Sequence, residues 1–529
     1  MHFQGPTTII ACCVFTICFE HLFGVDHMKA LQTALGFNSS LLIQLLLFGL
    51  GIVVCAEENS VSPTRRESGD RPNIVVIFID DLGFADIKPF GQPAYSTPNI
   101  NRMAREGRVF TDFSVSSAVC SASRAALLTG CYHARVGIHG ALGPNSKVGI
   151  AAEETTLGEI CKSRGYATAC IGKWHLGDHK SFLPLQHGFD EYLGLPYSND
   201  MWPLHPDLLK LSADVAKRRG GYPPLAMYDG NEIIDAEVTA EDQTRLTTSY
   251  TERAVEFIQK NREHPFLLYL PHTMVHVPLF VSPLNAGKSK LGLFADVMWE
   301  IDWSVGQIID TLDRLKLSEN TLVVFTSDNG PWLSYGNHAG SALPLREGKG
   351  TSFEGGVRVP TIMRWTRKIP ARTQCDEFAA TIDILPTVAN LIGADLPPLP
   401  IDGLDIGPQM FEPSPPPSPH ENYYIYYANN ELQAVRDRQW KLVLPHNYRT
   451  LGQQTGGVDG LPAPYRQVTA ELALYDLKAD RGEQDNVLSD QPDIVARLQR
   501  AADSARAKFG DSLTNSKGSE VRGPGRIPQ

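Results

Sequence analysis

Between Asn73 and Asp80 the chain reads NIVVIFID, with an unbroken apolar and largely β-branched run from Ile74 to Ile79. A strand with one wet face alternates apolar and polar residues. A run with no polar member needs cover on both sides, as the interior strands of a parallel sheet have. YATACIG (166–172), PFLLYL (265–270) and TLVVFTS (321–327) read as strands by the same reasoning. Each follows a helical segment: TTLGEICKSRG, TSYTERAVEFIQKN and ADVMWEIDWSVGQIIDTLDRL respectively. TPNINRMAREG carries Thr97 as N-cap, Pro98 at the first helical position and Gly107 as terminator, and RVFTDFSV then returns as a strand. The apolar spacing over 247–261 and 295–315 is that of helices with a core-facing stripe. Strands alternating with helices make βαβ units, which predicts an α/β protein: a large mixed, mostly parallel sheet sandwiched by helices.

The alternation fades near residue 395, where LPPLPIDG and EPSPPPSPH form a proline-rich connector. Beyond it, NYYIYYA, LQAVRDRQWKLVL and ELALYDLKAD predict a small antiparallel sheet, closed by a helix at 492–508. The expected organisation is a catalytic domain at 71–410, a small α+β subdomain at 420–510 and a disordered tail at 511–529. No internal repeat is present.

Ahead of these lie an expected leader (1–56) and a polar linker (57–70). The leader has a lysine at position 29, an apolar run from Leu41 to Cys55, and Val54 and Ala56 at small-residue cleavage positions, the layout of a secretory signal. Its apolar core is shorter than the roughly 20 residues of a membrane-spanning helix, so no stable span is expected and export to the periplasm or the exterior is. Four of the nine cysteines fall in the leader; Cys120, Cys131, Cys161, Cys170 and Cys375 remain. An odd number in an exported chain points to one thiol with another task, and Cys161 and Cys170 are spaced such that they could pair.

In an open α/β sheet, ligands gather beyond the carboxyl ends of the strands. Asp80-Asp81 follows the first strand and Asp328-Asn329-Gly330 follows the strand at 321–327. Three carboxylates and an amide form a hard-oxygen set suited to Ca²⁺ or Mg²⁺ rather than zinc. Lys173-Trp174-His175 follows YATACIG, His272 and His276 follow PFLLYL, and Lys349 sits in a glycine-flanked loop. With Arg124 they would make a cationic pocket for a tetrahedral oxyanion, hence for a sulfate or phosphate ester. The formal net charge of −11, with no clustered Lys/Arg footprint, argues against nucleic acid without excluding such a pocket. VCSASRAALLTG (119–130) places Cys120 at a helix mouth with Arg124 four positions on. Two readings stand there: a thiolate favoured by the helix terminus and the arginine, and a small buried residue. A tyrosine-phosphatase-like loop fails, since it needs Arg six positions after the Cys and Ala126 is there.

CSASRAALLTG, GKWHLG, the early Asp-Asp, SDNGP, GKGTSFEGGVRVP and the late AVRDRQWKLV…LYDL together resemble the formylglycine-dependent sulfatases, in particular the arylsulfatase A-like branch of the alkaline phosphatase-like superfamily; they run in family order from about 71 to about 490. The resemblance implies that a formylglycine-generating or sulfatase-maturating enzyme converts Cys120 to formylglycine, whose hydrate is the nucleophile. It implies Ca²⁺ held by Asp80, Asp81, Asp328 and Asn329, with residue 120 completing the shell, and Mg²⁺ as the lesser candidate. Arg124 and Lys173 would hold the hydrate, His175 would act as base, Asp328 would help to activate the nucleophile, and His276 and Lys349 would bind sulfate and protonate the leaving oxygen. Ser198, in PYSND, occupies a sulfate-contacting position, and His272 is a neighbour without such a role. The family usually has Pro where this chain has Ala122, a departure that bears on maturation. The implied substrate is an aryl or carbohydrate sulfate. The alternatives are phosphate or phosphonate ester hydrolysis on the same scaffold, and a secreted binding protein that has lost catalysis.

Overall fold

A computed structural model describes residues 71–527; the expected leader and linker lie outside the described residues. The elements that position the site run in order: β1 (Asn73–Ile79), α1 (Pro98–Glu106), β2 (Arg108–Phe110), α2 (Cys120–Thr129), α3 (Leu157–Ser163), β3 (Ala167–Ile171), β4 (Glu191–Gly194), β5 (Met227–Asp229) and β6 (Glu232–Asp235). They continue with α4 (Leu246–Lys260), β7 (Phe266–Pro271), α5 (Leu293–Arg314), β8 (Thr321–Ser327), β9 (Thr361–Arg364) and β10 (Thr373–Cys375). The ten strands form one sheet in the order β10-β2-β9-β8-β1-β7-β3-β4-β5-β6. β8, β1, β7, β3 and β4 are parallel throughout, and antiparallel pairs flank them on both sides.

The all-apolar strands are covered on both faces. Along β1, Ile74, Val76 and Phe78 belong to one core cluster and Val75, Ile77 and Ile79 to the other. The period-two alternation of side chains thus feeds two cores from one strand. Met103 of α1, Ile258 of α4, and Ile301 and Ile309 of α5 fill one. Leu127 and Leu128 of α2 share the other with the C-terminal region.

That region is a four-stranded antiparallel sheet of β11 (Tyr423–Tyr427), β12 (Glu431–Arg436), β13 (Trp440–Val443) and β16 (Ala473–Asp476). Between β13 and β16 a separate hairpin pairs β14 (His446–Thr450) with β15 (Arg466–Ala470), and α6 (Pro492–Phe509) follows. Val435 and Leu442 of this sheet lie in the same core as Leu127 and Leu128. A buried ion network joins the parts: Arg436 binds Asp112 at 2.7 Å, Arg358 binds Glu354 at 2.6 Å, and Lys441 lies 2.9 Å from both Glu354 and Glu483.

One expectation needs correcting. Residues 511–527 are not a disordered tail: Gly525–Arg526 pairs antiparallel with Val148–Gly149, and Arg522 donates to both carboxylate oxygens of Glu154 at 2.6 and 2.7 Å. A Gly/Pro/Arg-rich composition signals too little apolar surface to order itself, but a partly buried ion pair and a strand edge supplied by the rest of the fold do so here. Cys161, in α3, and Cys170, in β3, are each buried and unbridged, as are all five cysteines among the described residues.

Candidate active site

Successive residues of an extended strand point to opposite faces, so two adjacent acids normally diverge. At the end of β1 the chain turns through a left-handed Asp81, φ 63°, and both carboxylates enter one cluster. Asp is among the few residues that tolerate this conformation. The neighbouring parallel strand β8 delivers Asp328 and Asn329 to the same edge. The Asp81 N–H donates to Asp328 Oδ1 at 3.1 Å, and Asn329 Nδ2 donates to Asp81 Oδ1 at 2.7 Å. Gly330 completes this turn because a Cβ there would lie 1.8 Å from the Gly355 carbonyl oxygen.

Cations are interleaved with these acids. Arg124, fully buried on α2, donates to Asp328 Oδ2 through Nε (3.1 Å) and Nη2 (2.8 Å), and through Nη1 to the Lys173 carbonyl at 2.9 Å. Lys173 Nζ donates to Asp80 Oδ2 and, at 3.1 Å, to Ser198 Oγ. Lys349 Nζ donates to Asp81 Oδ1 at 2.7 Å, and His276 Nε2 lies 3.7 Å from Asp81 Oδ2. Burial pushes the Asp80 carboxyl up, but Lys173, then His276, Arg124 and Lys349, outweigh it and hold it well below the usual range. Asp328 goes the other way, to about 7, through burial and then the charge of Asp80.

Cys120 opens α2 and is 2 % exposed. Burial pushes the Cys120 thiol pKa up against the opposing pull of Lys173 and Lys349. This disfavours the thiolate reading: a helix terminus cannot offset desolvation and the repulsion of Asp80 and Asp328. His175 also lies within electrostatic reach of Lys173, Arg124 and Asp80. Its Nε2 is 2.9 Å from the Leu142 carbonyl, which can only accept, so Nε2 carries the hydrogen and Nδ1 presents a lone pair. That Nδ1 is buried without a hydrogen-bond partner among the described residues, and burial, then Lys173 and Arg124, keep the ring neutral. In the same way His276 Nδ1 faces the Val277 carbonyl, which turns Nε2 toward Asp81.

Three buried oxygens of the cluster, Asp80 Oδ1, Asp81 Oδ2 and Asn329 Oδ1, also lack a partner among the described residues. Uncompensated acceptors in a dry site are costly unless a cation satisfies them. Ligand atoms of Asp80, Asp81 and His276 lie within 4.8 Å of one another. The residues present therefore fit a metal ion, with oxygen as the dominant donor. Asp328 is the less available member, because Arg124 and the Asp81 N–H already engage its oxygens.

The structure thus brings Asp80, Asp81, Cys120, Arg124, Lys173, His175, Ser198, His276, Asp328, Asn329 and Lys349 into one cluster. It leaves His272 out: that ring bonds Ser304 Oγ at 3.1 Å, and burial lowers it to about 3. Sequence reasoning missed Asp200, whose carboxylate is held well below its usual range, against burial, by His276 and Arg219. It also missed Trp332, whose ring lies 5.6 Å from that of His276, and Arg449, which reaches in from β14. Asp200 is the last residue of PYSND and Trp332 directly follows SDNGP, so both could have been read there. Arg449 carries no local signal.

A buried cluster of alternating acids and cations at the carboxyl edge of a doubly covered sheet, with Cys120 at a helix mouth, is the setting of a hydrolase of tetrahedral-oxyanion esters. A family model described as Sulfatase matches residues 72–394, and one described as the C-terminal region of aryl-sulfatase matches 418–521. The chain is 34% identical over 473 residues to Arylsulfatase A of Bos taurus, covering 84% of this chain and 89% of that one. It is 37% identical over 475 residues to Arylsulfatase G of Mus musculus, covering 84% and 88%. Among solved structures, the PsFucS1 sulfatase from Pseudoalteromonas superposes with a TM-score of 0.72 at 25% identity, covering 84% of this chain and 92% of that one. The chain belongs to the sulfatase family and is a sulfuric ester hydrolase.

Proposed function

We propose that this enzyme hydrolyses aryl or carbohydrate sulfate monoesters with a formylglycine made from Cys120, beside a Ca²⁺ ion, after export from the cytoplasm. The observation that carries the reading is the set of three unpartnered buried oxygens in the same cluster as residue 120, Lys173 and Lys349. Asp80, Asp81 and Asn329, with Asp328 sharing its load with Arg124, would hold the ion, which would supply Lewis-acid polarisation of the sulfate. Oxidised to formylglycine, residue 120 would supply a hydrated aldehyde as the attacking group.

The remaining chemistry belongs to the chain's own residues. Lys173, Lys349 and Ser198 offer donors to an anionic sulfate, which matters most where charge develops in a water-excluded site. Burial works against the Lys349 ammonium, but the carboxylates of Asp81 and then Asp80 outweigh it, so Lys349 holds its proton firmly. In this reading it protonates the departing oxygen, together with His276. The bare Nδ1 of His175 is a proton acceptor kept neutral by its surroundings, which is what a base acting on a hydroxyl of residue 120 requires. Arg124 ties helix α2 to β8 and to the Lys173 backbone, and so fixes the distances among these groups. Export rests on the apolar leader segment at 41–55. No described helix is long and apolar enough to cross a membrane.

Co-expression with a formylglycine-generating enzyme, followed by mass spectrometry of the peptide containing residue 120, tests the reading. A sulfur-free aldehyde residue is expected, together with complete loss of sulfate release in Cys120→Ala. Full activity from a sample whose residue 120 is intact cysteine would reject it.

A further inference from the structure

Lys349 sits in the sequence Gly348-Lys349-Gly350, flanked by the two residues least able to hold a backbone still. Its ammonium must nevertheless be placed to a fraction of an ångström, because proton donation and charge stabilisation both fall off steeply with misalignment. The loop is fixed from three sides. The Lys349 N–H donates to the Pro331 carbonyl at 2.9 Å, which ties it to the turn after Asn329. The Gly350 N–H donates to the Ala118 carbonyl at 3.0 Å, two residues before Cys120. The third tie comes from the C-terminal hairpin: Arg449 Nη2 on β14 donates to the Lys349 carbonyl at 2.8 Å.

This third contact is built for a guanidinium. Gly350 has φ +80°, and a Cβ on it would lie 2.3 Å from Arg449 Nη2 and 2.6 Å from its Cζ, so the glycine leaves the arginine its space. The guanidinium stands 4.8 Å from the Tyr465 ring centroid and 5.6 Å from that of Trp332. The Lys349 ammonium lies 4.8 Å from the same Trp332 centroid, so one indole is shared by both cations. The hairpin grips the rest of the loop as well. Thr450 Oγ1 donates to Glu347 Oε1 at 2.7 Å, and the Ser334 N–H donates to Tyr465 Oη at 3.2 Å.

We infer that Arg449 is a positioning residue that aims Lys349 at the leaving oxygen, so that the C-terminal hairpin sets the proton-donation step although it supplies no group to the acid cluster. The inference rests on the reading of Lys349 given above. A hydrogen bond to the carbonyl restricts rotation of the Lys349 peptide, and the shared indole limits where the ammonium can swing.

The test uses mature enzyme and a series of aryl sulfates with leaving phenols of graded acidity. Arg449→Ala, Arg449→Lys, Lys349→Ala and the double variant are compared by kcat/KM and thermal unfolding. A good leaving group needs no proton, whereas a poor one does. Arg449→Ala is expected to lower kcat/KM roughly 10- to 100-fold for weakly acidic phenols and far less for nitrophenols. Lys349→Ala should steepen the dependence on phenol acidity in the same sense, and adding Arg449→Ala to it should cost little more. Arg449→Lys, which keeps the charge and one donor, should recover part of the loss and carries the comparison if the alanine variant does not fold. A loss equal for all phenols, or losses that multiply in the double variant, would overturn the inference. If Lys349→Ala leaves the dependence on phenol acidity unchanged, the donor role of Lys349 fails. The double variant then decides the coupling of Arg449 to Lys349, with multiplying losses rejecting it and shared losses supporting it.

Discussion

Lys441 is fully buried, and its ammonium donates to the Ser352 carbonyl at 2.8 Å and Glu354 Oε1 at 2.9 Å while lying 2.9 Å from Glu483 Oε1. It belongs to a network in which Asp112, Glu354 and Glu483 face Arg358, Arg436 and Lys441, a balanced set. Lys441→Met keeps the aliphatic stem and removes only the charge. It leaves two neighbouring carboxylates one cation short in a region buried from solvent. Removing one partner of a buried pair costs about 3–5 kcal/mol, well above the ~0–1 kcal/mol of an exposed pair.

The pH dependence has a definite sign. Burial pushes the Glu354 carboxyl up, but Lys441, then Arg358 and Arg436, hold it below its ordinary value of 4.5. The native protein therefore keeps this contribution above that value and loses it only as pH falls through the depressed one. Glu483 already stands above its ordinary value, burial outweighing Lys441. Without Lys441 both carboxyls lose their nearest cation and bind a proton more readily, so wherever the folded variant holds a proton that its unfolded chain has released it binds one more. Its deficit shrinks by about 1.4 kcal/mol for each pH unit over which that proton is held. Urea unfolding of both proteins at pH 7.5 and pH 5.5 measures this. A deficit under about 1 kcal/mol at pH 7.5, or one that does not diminish at pH 5.5, would refute the argument that a desolvated, uncompensated charge governs this junction.

The site and its surroundings imply further outcomes. Chelation of divalent ions should abolish sulfate release, with Ca²⁺ restoring it, and Asp80→Asn should weaken calcium binding measured by calorimetry; undiminished Ca²⁺ affinity in that variant would remove Asp80 from the ligand set. His276→Ala should lower kcat/KM by about 100-fold, within the range of a lost acid–base or charge-stabilising group. His272→Ala, which removes a buried ring that meets Ser304 and Tyr250 rather than the acid cluster, should reduce the unfolding temperature and leave kcat/KM within a few-fold; the reverse pattern would exchange the two assignments.

Groups at the ends of strands were legible because the signal is local. An all-apolar run such as Ile74 to Ile79 announces a central strand, and a polar residue after it must lie at the sheet edge. Asp80, Asp81, Asp328 and Lys173 were found that way. Arg449 was not, since it stands 100 residues from Lys349 and meets it only through the path of the C-terminal hairpin. Composition also misjudged the last residues, because Arg522 is ordered by Glu154, 368 positions earlier.

By itself, then, the chain determined which segments become covered strands and which reactive residue types arrive at their ends, since both follow from short-range periodicity and from the need to bury apolar surface. Only the tertiary structure decided which oxygens stay without partners, which imidazole nitrogen bears the lone pair, and which distant arginine steadies Lys349. Those depend on desolvation and on contacts between residues far apart in sequence, and no local pattern encodes either.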